Sequence, residues 1–229
     1  QRNLLAKSIP ELKGYSIHAF QEQCRMVGGD LYDVAKLRDG RLTFVVADVS
    51  GKGMGGALLM SNILASFRIL YEDDDFDLSR VVKQVSRQLF TYSAPEDFAT
   101  VFTGILDPVN NTLSFLNAGH NPPLLIKPDG VVQYLEPSGT MIGAFDFSDW
   151  QQETVKIGVG DMLLVFTDGV VEADCRGEYY GLERLQELVC KHRDIPLSEL
   201  SDQIMNDVES FAAGTPRSDD ITLLAVKRE

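Results

Sequence analysis

The sequence predicts an α+β fold built on antiparallel sheets. Three observations carry this reading. Apolar, β-branched runs recur in pairs across turn signals, as hairpins do. A pair of helical segments comes late in the chain, apart from those strands. Nowhere does a regular strand–helix–strand alternation set in.

Taken in order, residues 15–20 alternate loosely and read as a strand, and 41–47 form a short apolar run of the buried-strand type. Between 55 and 71, Ala57, Met60, Leu64 and Phe67 recur at helical spacing. Residues 72–75 are an acidic loop, and 78–90 return to helix with Val81, Val82, Val85 and Leu89 on one face. Beyond Pro95 hairpins take over: 98–106 with 113–118 across "DPVNNT", "NPPLLI" with "VVQYL" across "PDG", and 152–157 with 162–167 across "GVGD". Helices follow at 182–192 and 197–211, and 220–227 closes the chain as a strand. The stretch "GVVEADCRGEYYG" reads as a mobile loop. Residues 1–12, "QRNLLAKSIPEL", read as the end of a connecting helix or linker, and 13–229 as one domain without repeats or low-complexity segments.

Composition narrows the function classes. A hydrophobic content of 44% supports a packed core and excludes disorder. No apolar run reads as long enough to span a bilayer. The chain opens on Gln1 without a signal-peptide pattern, as a processed or excised domain would. A formal charge of -13 argues against a nucleic-acid groove or an anionic membrane surface, and it favours cations. Cys24, Cys175 and Cys190 are scattered and odd in number, so the expectation is no zinc site, no disulfide framework and a cytoplasmic location.

Gly51, Gly53 and Gly56 match G-x-G-x-x-G, which raises the dinucleotide-binding turn. That motif requires a second strand after the helix, ending in an acidic residue roughly 20 positions on. Glu72 and Asp73 stand at that distance but follow the helix directly, and no Gly-Lys-Ser or Gly-Lys-Thr supports a P-loop. The glycines are therefore read as shaping a tight strand-to-helix turn, with the chemistry on Asp48.

Asp48 ends "LTFVVAD", Asp168 ends "MLLVFTD", and Asp219 and Asp220 stand before "ITLLAV". A carboxylate at the tip of a buried strand is costly unless it is paired. In an antiparallel sheet two exits and one entry can share an edge, where clustered carboxylates call for a hard cation such as Mg²⁺ or Mn²⁺. "VGGDLYD" adds Asp30 and Asp33 on what reads as a turn.

Five motifs, "VGGDLYD", "ADVSGKGMGGALLM", "NAGHNPP", "FTDGVVEA" and "SDDITLLAV", stand here in the order seen in metal-dependent serine/threonine protein phosphatases. The chain resembles the protein phosphatase 2C-like family, in its bacterial SpoIIE/RsbU branch, over nearly its whole length. The resemblance implies a sandwich of two antiparallel β-sheets flanked by α-helices, with two Mn²⁺ or Mg²⁺ ions at one edge. It implies that Asp48 bridges both ions, that the Val49 carbonyl binds one, that Asp168 and Asp219 bind the other, and that Asp30 binds directly or through water. Asp48, Asp168 and Asp219 would then be the catalytic set, with Asp33 and Asp220 as weaker ligand candidates whose plainer reading is hydrogen-bonding support. A water bridging two such ions loses its proton readily and attacks phosphorus in line.

Where the eukaryotic branch has Asp-Gly-His, this chain has Asp48, Val49 and Ser50, so the histidine read there as general acid is absent and the donor of the leaving-group proton stays open, water being one candidate. His120 reads as a turn residue bonded locally, with general acid as its functional alternative. Arg25 and Lys52 read as solvated cations, with phosphate contact as theirs. The segment before "GGD" also lacks the Pro-Ala common in the branch. By resemblance the substrate is phosphoserine or phosphothreonine on a bacterial regulatory protein such as an anti-sigma-factor antagonist. An upstream sensor or response-regulator domain and a homodimer are the implied partners. The other classes to weigh are a catalytically silent partner-binding module of the same fold and a small-molecule phosphohydrolase.

Overall fold

The structure is a computed structural model that describes all 229 residues except Arg2 and Lys7. Two five-stranded antiparallel sheets face each other. In chain order the strands are β1 (Tyr15–Glu22), β2 (Leu31–Lys36), β3 (Leu42–Val49), β4 (Ala99–Asp107), β5 (Thr112–Ala118), β6 (Leu124–Ile126), β7 (Val132–Tyr134), β8 (Glu153–Lys156), β9 (Met162–Phe166), a small hairpin β10 (Asp174–Cys175) and β11 (Glu178–Tyr179), and β12 (Ile221–Arg228). The helices are α1 (Met54–Tyr71), α2 (Leu78–Tyr92), the single turn α3 (Asp168–Val171), α4 (Leu182–Lys191) and α5 (Leu197–Ala212). One sheet runs β1-β12-β9-β6-β7 and the other β2-β3-β4-β5-β8.

Strand periodicity sorts side chains into layers. On β3, Leu42, Phe44 and Val46 enter the apolar layer between the sheets, whereas Val45, Ala47 and Val49 face α1 and α2. On β12, Leu224 and Val226 point between the sheets, and Ile221, Leu223 and Ala225 face α4 and α5. The result is four layers, helix–sheet–sheet–helix, with three apolar interiors.

Local chemistry accounts for most elements. Asp77 caps α2 by accepting from the Arg80 N–H at 2.7 Å. Asp107 closes the β4–β5 turn by accepting from Val109 and Asn110 N–H at 2.8 and 2.9 Å. The β6–β7 hairpin turns at Gly130, with φ 88°. α1 has 18 residues and a mean hydropathy of 1.3, enough by length and composition to cross a membrane, contrary to the reading that no segment qualifies. Its Met60, Ile63, Leu64 and Phe67 pack on the β2–β5 sheet instead.

Three further expectations are corrected. Residues 31–36 are a strand rather than part of a turn, paired with β3 from Leu31↔Ala47 to Lys36↔Leu42. The "GVGD" turn does not join a hairpin: β8 pairs with β5 in one sheet, and β9 pairs with β6 and β12 in the other. β8 is a largely exposed edge strand and β9 is wholly buried, so each finds a different neighbour. The Asp161 carboxylate holds this crossing by accepting from Gly158 N–H and Lys127 Nζ. The stretch after Asp168 carries α3 and the β10–β11 hairpin, tied back by Tyr180 N–H to Ala173 O and Gly181 N–H to Val171 O, each 2.9 Å. The described residues of 1–12, read as a helix end or linker, form turns and an isolated bridge at Leu12.

Phe102 lies at the centre of the inter-sheet layer, fully buried, stacked on Phe115 at 5.6 Å and tilted against Phe44 at 6.1 Å. Phe102→Ala should lower unfolding stability by about 3–5 kcal/mol, measured as the shift of a urea midpoint at unchanged slope.

Candidate active site

The layer between the sheets turns polar at one end. By strand parity Asp48 continues the row of Leu42, Phe44 and Val46, and Thr100, its cross-strand partner, continues that of Phe102. Thr167 follows Val165, and Thr222 precedes Leu224. Asp30 sits just before β2. Asp30, Asp48, Asp168 and Asp219 therefore gather where β3 and β9 end and β2 and β12 begin.

Each carboxylate has its own support. Asp30 is buried, and its Oδ2 accepts from Thr167 Oγ1 and Thr222 Oγ1, both at 2.7 Å. Burial, with the Asp48 charge second, drives its proton affinity well above the ordinary carboxylate range. Asp48 is pushed up to about 7 by burial, then by Asp168 and Asp219, while a hydrogen bond with Asp30 opposes the shift. Asp168 begins α3 and is raised to about 6 by burial and then by Asp219, with Lys52 acting against them. Asp219 takes the Lys52 ammonium at 2.6 Å. Among the described residues no group of three or more His, Cys, Asp or Glu side chains is placed to hold a metal ion. Even so, an all-oxygen set whose members hold each other's protons on suits a hard divalent cation.

Asp220 and Asp33 support structure. Asp220 is buried and accepts from Cys24 N–H at 2.8 Å and Gly29 N–H at 2.9 Å, pinning the loop before Asp30 onto the start of β12. A Cβ on Gly28 would fall 1.7 Å from Asp220 Oδ2, so this clamp demands glycine there. Asp33 points away, into a bidentate pair with Arg68 of α1 at 2.7 and 2.8 Å.

The glycines of the Asp48 turn bring backbones together: a Cβ on Gly56 would stand 2.6 Å from Gly51 O, and one on Gly29 2.6 Å from Val49 O. No β-α-β unit surrounds them, because β3 leads into α1 and then directly into α2. His120 is buried, shares a hydrogen bond between its Nδ1 and the Thr100 hydroxyl at 2.9 Å, and donates its backbone N–H to Asn117 Oδ1. Burial lowers its proton affinity to about 4, so it is neutral near pH 7 and is no general acid there. Arg25, Gly29, Asp48, Val49, Lys52 and Asp219 line the shallow cleft over the carboxylates. The threonines 100, 167 and 222 were not singled out from the sequence; their spacing of two residues from inter-sheet apolar positions was the signal that could have found them.

This arrangement defines a class: an α+β sandwich of the protein phosphatase 2C type, with acidic strand ends at one edge. A sequence model of the family described as Stage II sporulation protein E (SpoIIE) matches residues 38–229. The chain belongs to this family, the SpoIIE/RsbU branch of the serine/threonine phosphatases, which is metal-dependent. It is 31% identical over 255 residues to protein IcfG of Synechocystis sp., matching along all of its own length and 40% of IcfG. It is 28% identical to the phosphoserine phosphatase RsbU of Bacillus subtilis, covering all of this chain and 68% of RsbU. Among solved structures, the SiaA-PP2C domain of Pseudomonas aeruginosa superposes with a TM-score of 0.83 at 21% identity, covering 93% of this chain and 86% of that one. The chain thus spans well under half of IcfG and about two thirds of RsbU.

A raised carboxylate keeps its proton to higher pH in the native state than in the unfolded chain, so its contribution to stability falls as pH rises from about 4 towards 7. The lowered His120 acts with opposite sign, losing stability as pH falls from about 6.5 towards 4. The difference between Asp48→Asn and the parent isolates the first effect. In EDTA the two should melt alike near pH 3.5, and the variant should be the more stable at pH 8, by on the order of 4 kcal/mol. Thermal unfolding at both pH values measures this.

Proposed function

We propose that the protein containing this chain hydrolyses phosphoserine or phosphothreonine on a regulatory protein, using two Mn²⁺ or Mg²⁺ ions. The observation that carries the reading is the gathering of Asp30, Asp48, Asp168 and Asp219 at one buried end of the inter-sheet layer, where burial first and the Asp168 and Asp219 charges second raise Asp48 to about 7. Asp30, Asp48, Asp168, Asp219 and the Val49 carbonyl would hold the ions. When bound, the ions supply Lewis acidity that activates an attacking water and offsets the charge of the phosphate oxygens.

The chain's own groups do the rest. Thr167 and Thr222 fix the Asp30 carboxyl, and Asp220 holds the Cys24–Gly29 loop against the cleft. Gly51 and Gly53, with φ 84° and 72°, turn the chain so that Val49 lies beside Gly29 while α1 starts clear of the cleft. Arg25 lines the entrance, where it can meet a phosphate. With His120 neutral and Ser50 in place of a histidine, the leaving oxygen takes its proton from solvent.

The names of RsbU and RsbP, both phosphoserine phosphatases of Bacillus subtilis, support a phosphoserine substrate. An anti-sigma-factor antagonist is the substrate class we assign, with an upstream sensor or response-regulator domain as regulator, a homodimer as the working state and the cytoplasm as its place. Retention of every motif aspartate favours catalysis over a silent module.

The purified protein should release phosphate from a phosphoserine peptide, and from an aryl phosphate, only with Mn²⁺ or Mg²⁺; full turnover in EDTA would sink the reading. Faster turnover on nucleotides than on any phosphoprotein would favour a small-molecule phosphohydrolase. Asp168→Asn should lose turnover by on the order of 100-fold at saturating Mn²⁺ with its circular dichroism unchanged.

A further inference from the structure

Lys52 stands between Gly51 and Gly53, both with positive φ, and a Cβ at either glycine would meet nothing within 4 Å. The loop therefore projects into open space with little side-chain restraint. From it the Lys52 ammonium reaches across to the start of β12. It donates to Asp219 Oδ2 at 2.6 Å and to Ser218 O at 2.7 Å. Its side chain remains 42% exposed. Among the described residues neither Asp48 nor Asp168 has a Lys or Arg within ion-pair distance, so Lys52 is the one cation seated on this carboxylate group. It also lines the same cleft as Arg25 and Asp48, where a substrate phosphate would enter.

We propose that Lys52 is a tethered counter-ion that a divalent ion must displace from Asp219, and that the released ammonium then becomes a phosphate contact. The inference rests on the metal-dependent reading above and adds an exchange built into the Asp48 turn. With the cleft unloaded, Lys52 offsets the repulsion among Asp48, Asp168 and Asp219. An ion arriving at Asp219 supplies that charge itself, and an ammonium 2.6 Å from the same oxygen is then repelled. Two glycines and a flexible four-carbon stem let it swing without moving β3 or α1. A compact ammonium suits a phosphate oxygen. Metal and substrate are thereby ordered: the group that recognises the phosphate is free only once the carboxylates are loaded.

The exchange makes two changes of opposite sign in one variant, which a merely structural residue would not do. Lys52→Met keeps the stem and removes the charge. After chelator stripping, calorimetric titration should give Mn²⁺ affinity about threefold tighter for the variant, the scale of a partly exposed ion pair. At saturating Mn²⁺, inorganic phosphate should bind the variant about tenfold more weakly, the scale of one charge-assisted hydrogen bond. Lys52→Arg, which keeps the charge, should restore both towards the parent. In EDTA the Met variant should melt at lower temperature than the parent, because the carboxylates lose their counter-charge; that melt also reports whether it folds. Unchanged or weaker Mn²⁺ affinity in the Met variant, or unchanged phosphate affinity, would overturn the proposal. A parent that binds and uses Mn²⁺ while its Lys52→Met variant matches it removes the exchange alone. A parent that binds no Mn²⁺ and hydrolyses nothing removes the phosphatase reading and the exchange together.

Discussion

Everything at the candidate site follows from one constraint: several carboxylates are held close together, largely out of water, at the end of an apolar interior. Burial and mutual repulsion act in the same direction on Asp30, Asp48 and Asp168, and each holds its proton above the ordinary range. Such a cluster persists only where other interactions fix the backbone that carries it. Two sheets packed through Phe44, Phe102, Phe115 and Leu224 provide that fixed backbone, and the strand ends of that layer hold the charges.

The acidic residues divide their labour by the partners they find. Asp33 meets Arg68 and anchors α1 to β2. Asp220 spends both oxygens on backbone N–H groups and fixes a loop. Asp30 takes two threonine hydroxyls, which hold the carboxyl in place without neutralising it. Asp219 faces the partly exposed Lys52 ammonium, a side-chain partner carried on a separate turn.

Glycine has the complementary role. The turn after Asp48 resembles a dinucleotide-binding fingerprint, yet its glycines serve close backbone approach and positive φ. The same holds after Asp168, where a Cβ on Gly169 would lie 2.0 Å from Asp220 O, so α3 can pack on the start of β12 only through glycine. Glycine stands directly beside the aspartate in Gly29–Asp30 and Asp168–Gly169, where the backbone must come close to a second chain segment.

The sequence by itself determined the segments and the chemistry. Period-2 and period-3.6 patterns located α1, α2, α4 and α5, β3, β4, β5, β9 and β12, and carboxylates at strand tips marked Asp48, Asp168 and Asp219 for their chemistry. Those signals are local, set by backbone geometry within a few residues, so they can be read along the chain. Only the tertiary structure decided that β8 and β9 part into different sheets, that "LYDVAK" is an edge strand, that the stretch after Asp168 is ordered, and which carboxylate serves structure. Asp30 meets threonines 137 and 192 positions away, and Lys52 meets an aspartate 167 away. Partners that distant are chosen by how two sheets pack, a free-energy choice made by the whole chain that no local pattern encodes.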